Sequence, residues 1–293
     1  TLYAVWKPNT YKVAFNANGG SGTMSAQTMG YDTLTKLRAN AFKRTGYAFQ
    51  GWAKSKTGTV AYKDGVSVKN LASSGTVTLY AVWKPNTYKV AFYANGGTGS
   101  MSAQSMTYNK AAYLKKNAFK RTGYVFAGWA KSAALAKKGK VSYKNRHAVK
   151  NLLKKSGTVK LIAVWKPITY KVAFYANGGT GSMSAQSMTY NKAAYLKKNA
   201  FKRTGYTFAG WAKSAALAKK GKVAYKNRQV VKNLLKKSGI VKLIAVWKPI
   251  TYKVVFYPNG ASGKAVAQTM TYNKAAYLKK NIYKRYGLSL IHI

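Results

Sequence analysis

Tyr88-Lys89-Val90-Ala91-Phe92-Tyr93-Ala94-Asn95-Gly96-Gly97 alternates apolar and polar side chains and then meets Asn-Gly-Gly. The alternation puts Tyr88, Val90 and Phe92 on one face of a strand. Asn95-Gly96-Gly97 supplies the positive φ angles of a tight turn, after which 101–108 returns as the second strand of a hairpin. Downstream, Thr122-Gly123 opens a strand through Tyr124-Val125-Phe126 into Gly128-Trp129, and Tyr143 marks a short fourth strand. Leu161-Ile162-Ala163-Val164-Trp165, β-branched and aromatic, reads as a buried closing strand. Pro85 and Pro167 follow each Ala-Val-Trp-Lys and punctuate the junction. Helix is expected only in 111–116 and 147–153, each of two turns at most.

The same phrases return along the chain. Ala-Val-Trp-Lys places Trp6, Trp83, Trp165 and Trp247 at spacings of 77, 82 and 82 residues, and Gly-Trp places Trp52, Trp129 and Trp211 at 77 and 82. Asn18, Asn95, Asn177 and Asn259 keep that phase, and segments 85–166 and 167–248 differ at six of 82 positions. Self-similarity at a fixed period marks an array. The expected fold class is mainly β with minor α (α+β), a tandem array of small modules at 8–84, 85–166 and 167–248. Residues 1–7 read as the end of a preceding repeat and 249–287 as a truncated fourth. Tyr88, Phe92, Tyr124, Phe126, Trp129 and Trp165 are the expected core of a module. Segment 132–140, where the periods differ in length, is expected to be a surface loop.

Three motifs in fixed order carry a family resemblance: Tyr-x-Val-x-Phe-x-x-Asn-Gly-Gly, Arg-Thr-Gly-Tyr-x-Phe-x-Gly-Trp, and an aliphatic strand ending Ala-Val-Trp. Together they resemble the Listeria–Bacteroides repeat, the internalin B-repeat family of bacterial surface proteins. The resemblance implies a compact β-grasp-like module, strung in tandem as a stalk or spacer on secreted or wall-attached proteins, sometimes with adhesive roles. It implies no catalytic residues and no cofactor. This array is far more basic than many members of that family.

At the C-terminal end, Lys284-Arg285-Tyr286-Gly287 still tracks Lys202-Arg203-Thr204-Gly205, but 288–293 departs from the repeat. Those six residues match what the end of a transposon-derived sequencing adaptor encodes. They are expected to be adaptor read-through on an open fragment assembled from environmental DNA, which sets His292 aside. With Thr1 in place of an initiating Met, the missing signal peptide carries no information on export.

Candidate chemistry is thin. Asp32 and Asp64 are the two acids, and their counterparts are Asn109 and Asn191, and Asn145 and Asn227. An amide cannot replace a carboxylate in acid–base work, so both read as turn residues, where Asp and Asn interchange. His147 aligns with Gln229 and has no acid or Cys nearby in sequence, which argues against a triad or metal site. Zero Cys excludes disulfides and thiolate metal sites. The Gly-rich stretch 95–100 lacks the Gly-Lys-Ser/Thr ending of a phosphate loop, and Ser100-Met101-Ser102 has no partner base. The Gly-Trp aromatics suit core packing better than a carbohydrate platform.

Charge remains: 52 Lys plus Arg against two acids, a formal +50. Modules 85–166 and 167–248 each hold 17 basic residues and no acid, while 8–84 holds ten against two. The clusters are Lys115-Lys116, Lys120-Arg121, Lys137-Lys138-Lys140 and Lys154-Lys155, repeated as Lys197-Lys198, Lys202-Arg203, Lys219-Lys220-Lys222 and Lys236-Lys237. Such a surface keeps an array soluble and extended, or binds a polyanion through many weak contacts. Anionic wall or host polymers (teichoic acid, glycosaminoglycan, extracellular DNA) are the expected partners, with a monomeric array and no membrane insertion. Two other readings stand: an accessory region of a secreted enzyme, and a polybasic nucleic-acid-binding protein lacking any recognisable readout motif.

Overall fold

A computed structural model describes residues 1–289, so the last four residues of the adaptor-like segment lie outside it. The chain forms two compact units, Thr1–Arg121 with Phe126–Lys166, and Thr122–Val125 with Pro167–Ile293. Three copies of one four-stranded sheet carry the repeats, and the described residues are mostly β with two short helices. In the second copy the leading strand Thr87–Tyr93 pairs antiparallel with Gln104–Thr107 and parallel with the closing strand Thr158–Pro167. The Gly-Trp strand Tyr124–Ala130 flanks the closing strand on its other side. First and last strands thus lie side by side at the centre, and each sheet closes only when its final strand arrives.

Alternation does what it promised. Tyr88, Val90 and Phe92 are buried together with Met106, Leu114, Phe119, Trp129, Val149, Leu161 and Ala163. Trp129 is fully enclosed, with Phe92 and Phe126 at centroid distances of 4.9 and 4.8 Å and Phe119 edge-on at 6.2 Å. Phe126 and Trp165 pack on this core half-buried. Tyr124 does not belong to it: its ring stands edge-on to Tyr190 at 5.6 Å, within the second compact unit.

The Asn-Gly-Gly turn is not a two-residue hairpin loop. Asn95 and Gly96 take positive φ (50° and 78°), but residues 94–103 separate the paired strands. Within that stretch Thr98 bridges Lys120. Gly97 is needed for closeness: a β-carbon there would fall 2.8 Å from Cζ2 of Trp165 and 2.9 Å from the carbonyl of Lys120. The Trp165 indole N–H donates to the Ala94 carbonyl at 2.7 Å. The first and last motifs of the repeat are therefore one packing unit.

Both expected helices are replaced by strand. Ala112–Tyr113 pairs antiparallel with Ala148–Val149, because Leu114 and Val149 gain burial there, and such packing overrides weak helix propensity. The helix lies instead in the segment expected to be a loop, at Ala133–Lys137, with the Ser132 hydroxyl accepting from the Leu135 N–H. Ala136 covers Ala130 and Val164 on the outer face of the sheet. Tyr143 makes a single bridge to Trp129 rather than a strand.

In the last copy, Thr251–Phe256 pairs among the described residues only with Val266–Thr271. Tyr252 is 48% exposed where Tyr170, with a closing strand beside it, is 2% exposed.

Candidate functional site

The basic residues occupy four structural settings. Lys115 and Lys197 follow the short strands Ala112–Tyr113 and Ala194–Tyr195, where Gln104 and Gln186 each clamp the backbone, accepting from Lys115 N–H and Lys197 N–H at 3.0 Å. Their ammonium groups donate to the Ser102 and Ser184 hydroxyls at 2.6 Å, so these two charges are anchored, whereas Lys116 and Lys198 are exposed.

Lys120 and Lys202 sit on the bridge to Thr98 and Thr180 with side chains in solvent. The adjacent Arg121 and Arg203 are half-buried and donate to the carbonyls of Asn95 and Asn177 at 3.2 and 3.5 Å. Lys137 and Lys219 end the helices, where a cation is favoured by the helix dipole, and Lys138, Lys140, Lys220 and Lys222 follow them, exposed. Lys154, Lys155, Lys236 and Lys237 are exposed in the loop before each closing strand. The Asn86 amide fixes one such loop by donating to the Lys154 carbonyl at 3.0 Å.

These residues are not gathered into one pocket. Lys202 and Arg203 line an open notch of about 370 Å³ with Thr204, Tyr206, Tyr272 and Asn273.

The open face of the sheet adds cations that cluster-reading passes over. The parallel register sets Lys89 opposite Thr158, Lys160 opposite Ala91, and Tyr93 opposite Ile162. These positions alternate with the buried Tyr88, Val90 and Phe92. Lys171, Lys242 and Tyr175 repeat them in the third copy, while the first copy has Thr78 at the place of Lys160. The signal was present: the outward positions of a strand whose inward positions had already been used.

The acids are structural. Asp32 takes φ 60°, as Asn109 and Asn191 take 63°. Its carboxylate meets Lys69 at 2.6 Å, and hydrogen bonds from Lys69 and Asn70 hold its pKa below the ordinary carboxylate value. The Asp64 carboxylate accepts from the Asn40 N–H at 2.8 Å, the task that Asn145 and Asn227 perform with a side-chain amide oxygen at 2.9 Å. His147 is exposed, with its ring 5.7 Å from Tyr143. Among the described residues no three His, Cys, Asp or Glu side chains come together as metal ligands. Trp52, Trp129 and Trp211 are wholly buried, which removes them as a carbohydrate platform.

The profile of the Listeria-Bacteroides repeat domain matches residues 11–82, 88–151 and 170–234. The chain belongs to the Listeria-Bacteroides repeat family. Repeats of this family are generally non-catalytic, and the chain is a repeat region of a cell-surface protein. Two proteins of Evansella cellulosilytica, named as a Gly-rich membrane protein and a membrane protein, are each 27% identical to it. They align over 89% and 72% of this chain, which spans only 27% and 29% of their lengths. No helix among the described residues is long and apolar enough to cross a membrane. The Bacillus anthracis TIE protein matches 82% of the chain and 51% of its own at 9% identity, with a TM-score of 0.29. A score of that size does not establish a common fold.

Proposed function

We propose that this Listeria-Bacteroides repeat array is a non-catalytic stalk and adhesion-type region, secreted or on the bacterial surface, that holds anionic polymers by low-specificity electrostatic attraction. The observation that carries the reading is the absence of any acidic side chain from residue 65 onward, while 17 basic residues occur in each of two successive modules. Solubility alone needs no such one-sided balance, since mixed charges serve it as well. Repetition of the same exposed lysines multiplies individually weak contacts, and lysine, a compact point charge, suits attraction without fixed geometry. The central placement of the parallel first and last strands supports the β-grasp-like reading of each module.

The test is retention of the chain on immobilised poly(glycerol phosphate) teichoic acid and on heparin as salt is raised. Expected is firm retention at low salt and release by moderate salt, because exposed charges are screened over roughly 8–10 Å at physiological ionic strength. Flow-through of the chain on both resins at low salt would remove the binding half of the proposal. Sequence-dependent DNA binding that survives moderate salt would favour the nucleic-acid reading instead.

A further inference from the structure

Seven arginines stand among 45 lysines, and four of them, Arg44, Arg121, Arg203 and Arg285, hold one phase of the repeat. Arg203 is fixed in place. Its guanidinium carbon lies 4.1 Å from the ring centroid of Tyr206, and Nη1 donates to the Asn177 carbonyl at 3.5 Å. It also passes so near Gly178 that a β-carbon there would lie 3.4 Å away. Arg44 is held the same way, 4.2 Å from the Tyr47 centroid and 3.3 Å from the Asn18 carbonyl. A guanidinium has five N–H donors, and these contacts engage one of them and a ring face. Beside Arg203 opens the notch lined by Lys202, Thr204 and Asn273, in a part of the chain with no acidic side chain. A planar cation immobilised before its ligand arrives loses less freedom on binding than a mobile lysine does.

We propose that the Lys-Arg pair beside each such tyrosine is a discrete site for a tetrahedral oxyanion, the sulfate or phosphate ester of a polymer. Arg44 or Arg203 is its bidentate anchor, and Lys43 or Lys202 is an added charge. The proposal rests on the polyanion reading and sharpens it, from diffuse attraction to an anchored ester in the first and third modules.

The Arg44→Lys/Arg203→Lys chain keeps the full net charge, so it separates the two. Binding of poly(glycerol phosphate) and of a heparin oligosaccharide is measured by calorimetry for both proteins. The expected result is affinity at least about tenfold weaker in the variant, since two anchors act together; the polymer that suffers the loss identifies a phosphate or a sulfate ester as the favoured source. Equal affinities overturn the site and leave the diffuse reading standing. Failure of the unaltered chain to bind either polymer at low salt overturns both. If the variant does not fold, the unaltered chain is titrated with inorganic sulfate and phosphate while arginine Nε–H resonances are followed. Those of Arg44 and Arg203 should shift saturably and those of Arg146 and Arg228 should not; a uniform, unsaturating drift in all four overturns the site.

Discussion

The ring of Tyr108 lies against the α-carbon of Gly46, so closely that a β-carbon on Gly46 would fall 2.1 Å from Cε1 of the tyrosine. The same contact joins Gly123 to Tyr190 and Gly205 to Tyr272. Two backbone bonds complete it: Asn86 N–H to the Gly46 carbonyl at 2.9 Å and Tyr108 N–H to the Asn86 carbonyl at 2.8 Å. The first two repeats are thus joined by a packed seam as well as by the chain. Gly46 also holds φ at 83°, a region that disfavours any β-carbon.

Gly46→Ala is therefore expected to open the seam without unfolding the modules. Hydrogen exchange should quicken at the amides of Asn86 and Tyr108 while those of Val90 and Trp129 keep their protection. Unchanged exchange at Asn86 would show that the seam does not depend on this contact.

Asp64 needs only a side-chain oxygen. Asp64→Asn should leave the Asn40 amide protected, as Asn145 and Asn227 do for Asn117 and Asn199. Asp64→Ala removes the acceptor and should cost about 1 kcal/mol, the usual worth of one such bond. Exchange at the Asn40 amide distinguishes the variants, and a loss in Asp64→Asn equal to that in Asp64→Ala would assign the carboxylate a charge-dependent role.

The strands and the array were legible because burial enforces alternation: Tyr88, Val90 and Phe92 could face only one way. The short strand Ala112–Tyr113 was not legible, since its two residues make sense only against Ala148–Val149, which lie 36 positions later. The helix hid inside an insertion, where its capping Ser132 looked like loop polarity. Tyr124 read as core because an aromatic beside buried neighbours gives no sign that its partner belongs to the next repeat. For the candidate site, lysine runs were visible, but the fixation of Arg44 between its near neighbour Tyr47 and the carbonyl of Asn18, 26 positions earlier, shows only in the folded chain.

The last copy isolates the contribution of the closing strand. Tyr252, Leu278 and Ile282 are 48%, 61% and 66% exposed, whereas Tyr170 and Leu196, counterparts of the first two, are 2% and 1% exposed. Exchange in Thr251–Phe256 should accordingly run orders of magnitude faster than in Thr169–Tyr175, because opening there exposes little that is not already wet. Comparable protection in both strands would mean that the hairpin is stable without its central neighbour.

Acid should leave the modules folded. Acid denaturation works mainly through carboxylates that are paired in the native state and must take up protons, and this chain has two, both in the first module. Asp32 has a folded pKa below the ordinary value. Its contribution is present above the unfolded pKa and is lost as pH falls through the folded one; its full exposure to solvent keeps that contribution small. Charge repulsion changes little as well. The formal charge is already +50 at neutral pH, so the repulsion that unfolds ordinary proteins in acid is already borne there. Circular dichroism and tryptophan fluorescence at about pH 2 should match those at pH 7 at the same ionic strength. A cooperative loss of structure on acidification would instead require a titrating group with a native role that neither Asp32 nor Asp64 fills.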